Sequence, residues 1–148
     1  MNLYEKISDW IIDYTPLANW IYFNSTPITV GAVSMNSVPG ESILKKFIDG
    51  RTERQILFAI EMVKEYDLAG TSSINLDAFE EVTNFAEWIN HQKELGNYPD
   101  FGNDNIIEDI DVVTNVPTML LDTQNSLARY QFQVKIIYKN ESEVIRNG

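Results

Sequence analysis

The strongest constraint on the fold is an alternation near the C-terminal end of the chain. Ala128, Tyr130, Phe132, Val134, Ile136 and Tyr138 face one way, and Arg129, Gln131, Gln133, Lys135 and Lys139 face the other, with Ile137 the one exception. A period of two held from Ala128 to Lys139 is a β-strand with one face on a core and one face in water. Such a strand needs a sheet around it and a layer to cover the apolar side. Two amphipathic helices are available for that layer. Residues 1–14 place Leu3, Ile7, Trp10, Ile11 and Tyr14 at three- and four-residue steps, and Pro16 ends the pattern. Residues 75–95 place Phe79, Val82, Ala86 and Ile89 in one stripe, widened by Phe85 and Trp88, with Gly96 as the stop. Asn75 or Asp77 is the expected cap, and Asp77 with Glu80 has capping-box spacing.

The remaining strands carry weaker signals. Trp20 to Phe23 and Ile28 to Val33 read as two short strands, and Asn36 to Gly40 as a loop. Ile43 to Ile48 and Arg54 to Lys64 flank Asp49-Gly50-Arg51-Thr52, a hairpin signal. In the second of these runs Ile56, Phe58, Ile60 and Met62 share a face. Leu57, Ala59 and Val63 make the opposite face mixed, which predicts contact on both sides. Ile106 to Val116 is a further strand after a turn-rich loop from Asn97 to Asn105, and a loop that includes Asp122 to Ser126 leads into the last strand. The order is helix, strands, helix, strands. The expected fold is therefore α+β, a mainly antiparallel sheet of about five strands with two main helices packed on one face. Residues 1–139 form one domain, and the polar tail at 140–148 is expected to be disordered.

Composition narrows the function classes. The chain of 148 residues is 44% hydrophobic and has no cysteine, so a packed core is expected and a cysteine-built metal site or disulfide framework is excluded. Its 22 acidic and 11 basic residues leave a net charge of −11, which repels a phosphate backbone; no sequence-specific nucleic-acid partner is expected. No run approaches the roughly 18 apolar residues of a membrane span, and the N-terminal residues do not resemble a secretory signal. A soluble protein with no membrane partner is expected.

Catalytic chemistry lacks its usual parts. His91 is the only histidine, there is no cysteine, and neither a nucleophile elbow nor a glycine-rich phosphate loop is present. No catalytic residue, cofactor or metal site is assigned. Glu108, Asp109 and Asp111 come nearest to one. On a strand, Asp109 and Asp111 share a face and Glu108 takes the other, and paired carboxylates suit Mg²⁺ or Ca²⁺. No further ligand follows at a recognisable spacing, so the plain reading is a solvated strand face. Asp100 to Asp104 lacks the ligand series of a calcium loop. Trp20, Tyr22 and Phe23 read first as core; if exposed, they mark a subunit interface, where aromatic anchors concentrate.

The order of several segments resembles a family. Lys46-Phe47-Ile48-Asp49-Gly50, Phe58-Ala59-Ile60, Tyr66-Asp67, then Asn75, Phe79, Glu87-Trp88-Ile89 and Tyr98-Pro99, and finally Tyr130-Gln131-Phe132 and Ile136-Ile137-Tyr138 are similar to the minor capsid or tail-terminator (tail completion) proteins of long-tailed phages of Gram-positive bacteria. The resemblance runs from Ile43 to Tyr138 and is loose before that. It implies a small α+β subunit without enzymatic activity, located at the tail–head junction of the virion and in the host cytoplasm during assembly. It implies a homohexameric ring on the end of the tail tube, with the tail tube protein and the head connector or completion protein as partners. Glu108, Asp109 and Asp111 are candidates to line the channel of such a ring, where negative charge keeps DNA from adhering. Charge reversal at Asp109 and Asp111 is then expected to spare assembly and impair DNA passage. Trp20, Tyr22 and Phe23, with exposed strand edges, are the candidate ring contacts. Two readings from other classes stay open: an acidic DNA mimic that inhibits a nucleic-acid-binding enzyme, and a metal-dependent hydrolase built on Glu108 to Asp111.

Overall fold

A computed structural model describes residues 2–14, 21–25, 27–40, 42–114 and 116–141. Its elements, in chain order, are α1 (Leu3–Ile11), β1 (Tyr22–Phe23), β2 (Val33–Ser37), β3 (Ile43–Lys46), β4 (Thr52–Glu65), α2 (Ile74–Leu95), β5 (Asn105–Val112), β6 (Thr118–Asp122) and β7 (Leu127–Asn140). The architecture is α+β, as expected, but the sheet is larger and mixed. It has seven strands, and β1 pairs with β2 in parallel.

The centre of the sheet is the antiparallel pair β4–β7, in unbroken register from Thr52↔Asn140 to Glu65↔Leu127. Its alternation reaches the core as the sequence predicts. Ile56, Phe58, Ile60 and Met62 of β4 and Ala128, Tyr130, Phe132, Val134, Ile136 and Tyr138 of β7 are all buried in one cluster. Both helices feed the same cluster, through Ile7, Trp10 and Ile11 of α1 and Ala78, Val82, Phe85 and Ile89 of α2. Aromatic contacts lock the layers: Phe85 lies 5.6 Å from Phe132, and Trp10 lies 5.3 Å from Trp88. The mixed far side of β4 is also partly covered. Ala59 is fully buried, and Val63 forms a small second cluster with Ala32 and Leu127.

Four local expectations are corrected. Ile28 to Val33 is not a strand. The strand starts at Val33 and runs through Ser37, because pairing with β4 from Val33↔Met62 to Ser37↔Phe58 puts Val33 and Met35 into the core and carries Asn36 and Ser37 along. The first strand is only Tyr22–Phe23 within the described residues; Trp20 lies outside them, as does the tail beyond Glu141. The cap of α2 is Ser73, with no side-chain cap bond. Asn75 is engaged elsewhere: its Oδ1 accepts from the Asp67 N–H at 2.7 Å and its Nδ2 donates to the Asp67 carbonyl at 2.9 Å. Finally, the stretch before Asp122 is a strand, β6, rather than loop.

Candidate functional site

Strand β5 holds the three candidate channel acids. A register shift falls between Ile107 and Asp109, so Glu108 sits in a bulge while Asp109 and Asp111 pair opposite Ile137 and Lys135. The bulge keeps Ile110 in the core and turns the acids outward. Two of the acids meet a lysine, and the third has one opposite it in the ladder. Lys93 of α2 approaches Asp109 at 2.8 Å, Lys139 approaches Glu108 at 3.4 Å, and Lys135 stands across from Asp111 in the ladder. The Lys93 pKa is raised, chiefly by its hydrogen bond to Asp109 and by that carboxylate's charge, with a smaller contribution from Asp111. Ion pairing thus offsets the charge of Asp109 and Glu108. Among the described residues no three His, Cys, Asp or Glu side chains come together to hold a metal ion. His91 is exposed on α2, 3.5 Å from Glu94.

The aromatic segment is at the opposite edge of the sheet. Tyr22 and Phe23 are exposed rather than core, although the Phe23 ring lies tilted against Tyr4 at 5.2 Å. Both rings line an open cleft of about 290 Å³ together with Ile21, Met35 and residues of α1 that include Glu5 and Asp9. Ile28 and Val30, in the loop that follows, are 57% and 55% exposed.

The largest apolar exposure on a strand belongs to a segment that sequence reading passed over. Strand β6 pairs only with β7, leaving its outer edge without a strand partner among the described residues. Leu120 is 70% exposed, and Met119 and Leu121 are exposed beside it, as is Val116 just before the strand. The available signal was three consecutive apolar residues between Pro117 and Asp122. It lacks alternation because an edge strand with both faces wet has no core side to encode.

The other free edges are blunted. β5 carries three acids and a bulge, β3 carries Lys45, Lys46 and a register shift, and β1 is two residues long. Charges, bulges and brevity are the usual protections of an edge, and β6 has none before Asp122.

Compared with known proteins, the chain matches no protein-family model, and no curated protein sequence matches it significantly. No helix among the described residues is long and apolar enough to cross a membrane.

Proposed function

We propose that this protein is a structural subunit of a phage virion, a tail terminator or head–tail joining protein that caps the tail tube as a homo-oligomeric ring and works without catalysis. The observation that carries the reading is the bare apolar edge of β6. Met119, Leu120 and Leu121 are exposed on an edge strand that pairs on one side only among the described residues, an arrangement that favours burial against another protein. The segment order from Ile43 to Tyr138 supports the tail-terminator assignment. Of the candidate channel acids on β5, Asp109 and Glu108 are each paired with a lysine, which weakens the field they would supply to a DNA channel in such a ring.

The test has two measurements. Light scattering with negative-stain imaging of the same peak is expected to give a closed ring of several copies. Co-sedimentation with purified tail tubes is expected to place that ring at the tube end and to stop further tube growth. Failure to bind tail tubes in any state of assembly would remove the reading and favour an acidic inhibitor instead.

A further inference from the structure

A cleft opens where the chain steps from β2 to β3 along the edge of β4. Pairing of β2 with β4 ends at Ser37↔Phe58, and pairing of β3 with β4 begins at Ile43↔Arg54. Between them the Val38 N–H donates to the Leu57 carbonyl at 3.3 Å, and the Gln55 N–H donates to the Ser42 carbonyl at 2.8 Å. Pro39 and Gly40 are exposed and belong to no strand. The open space beside them measures about 220 Å³. Val38, Ile56 and Leu57 give it apolar walls, and Tyr4 of α1 and Tyr138 of β7 complete it. None of its lining side chains among the described residues is charged. The two phenols differ in what they can still bond. Tyr4 donates its hydroxyl hydrogen to the Leu57 carbonyl at 3.3 Å, which leaves its oxygen free to accept. Tyr138 is only 7% exposed, and its ring packs edge-on against Phe101 at 5.4 Å, yet its hydroxyl has no hydrogen-bond partner among the described residues. Nor is that oxygen sealed in, since among the described residues the enclosed polar atom left without a partner is Asn36 Oδ1. The Tyr138 hydroxyl thus keeps a donor and an acceptor for whatever enters the cleft. Burial raises the pKa of both phenols, so each stays protonated at neutral pH.

We propose that this cleft is a binding site for a small uncharged molecule, one six-membered ring carrying a single hydroxyl or amide group, held by the Tyr138 and Tyr4 hydroxyls between the apolar walls. The site stands independently of the oligomer proposed above. Size sets the class of ligand. A cavity of about 150 Å³ holds a benzene ring, and pockets for drug-sized ligands begin at roughly 300 Å³. A space of about 220 Å³ therefore suits one ring with a small substituent. Charge sets its neutrality. An ion entering the cleft would lose water and meet no charged lining side chain among the described residues, and an anion would also face the net charge of −11. The polar group follows from Tyr138. A buried hydroxyl without a partner is costly, and a ligand that supplies the missing donor or acceptor recovers that cost on binding.

Phenol and toluene, alike in size and different in one hydroxyl, test this on the full chain by NMR titration. Phenol is expected to shift the backbone amides of Val38, Gly40, Leu57 and Tyr138 together and to saturate with a Kd on the order of 1 mM. Toluene is expected to bind about fivefold more weakly, the effect of one hydrogen bond. Tyr138→Phe keeps the ring on Phe101 and removes only the hydroxyl. Its melting temperature is expected not to fall, and its preference for phenol over toluene is expected to shrink toward none. Val38→Phe enlarges a half-buried wall and is expected to weaken both ligands. The inference is overturned by shifts that do not saturate or that fall outside the cleft, or by a phenol preference that Tyr138→Phe leaves intact. It is also overturned if Tyr138→Phe lowers the melting temperature, which would show that the hydroxyl serves the fold rather than a ligand.

Discussion

The indole N–H of Trp10 donates to the carbonyl oxygen of Asn97 at 3.0 Å, tying α1 to the turn that ends α2. The same ring packs on Trp88, so one side chain joins the two helices by both apolar and polar contact. Trp10→Phe keeps most of the packing and leaves the carbonyl without its donor. The expected loss is about 1–2 kcal/mol in urea unfolding. Trp10→Ala removes the packing as well, and about 3–5 kcal/mol is expected.

Phe132 sits on β7 beneath Phe85 and is 1% exposed. Phe132→Ala opens a cavity between sheet and helix and is expected to cost about 3–5 kcal/mol in the same measurement. Leu120→Glu on β6, a larger chemical change, is expected to leave the unfolding midpoint of the isolated chain nearly unmoved, because its side chain is already in water.

Gly96 ends α2 with φ +68°, and its N–H closes the last turn onto the Gln92 and Lys93 carbonyls. A Cβ there would touch nothing within 4 Å, so any cost of substitution is conformational. Gly96→Ala is expected to lose about 1 kcal/mol and Gly96→Asn less, since asparagine tolerates the left-handed region. Equal losses would contradict this account.

Asp67 organises the connection from β4 to α2. Its carboxylate accepts from the Ser72 hydroxyl at 2.9 Å and from the N–H groups of Ala69, Thr71 and Ser72. These bonds hold its pKa below the ordinary carboxylate value, the Ser72 hydroxyl first. A depressed folded pKa means stabilisation that is fully present above the unfolded value of about 3.9 and is lost as the pH falls through the folded value. Asp67→Asn is therefore expected to lower stability at neutral pH and to flatten its dependence on pH below about 4. Asp49 and Asp122, also held low by local hydrogen bonds, keep part of the slope in the variant. Urea midpoints from pH 7 to pH 2 check both effects.

Much of the fold is written in periodicity. The alternation of β7, the apolar stripe of α1, the Asp49-Gly50 turn and the Gly96 stop stand where the residues place them, because each has one face or one backbone angle that only certain residues satisfy; on α2 the buried line is Ala78, Val82, Phe85 and Ile89, with Phe79 and Ala86 only partly covered. Gly50, for instance, has φ +94° inside the β3–β4 turn. Periodicity falls silent where a segment has no buried side. Thr118–Asp122 shows no alternation since nearly all of it is exposed, and its strand conformation comes from pairing with Leu127 to Gln131.

Charge tells the same story at closer range. The sequence alone determined that the chain is acidic, lacks the parts of common catalytic sites and must bury one face of a sheet under two helices. Only the tertiary structure decided that Asp109 meets Lys93, that Glu108 meets Lys139, and that Tyr4 and Tyr138 line one cleft. A side chain's partner across space depends on register and on which strands become neighbours, and those are settled by the packing of the whole sheet rather than by any local run of residues.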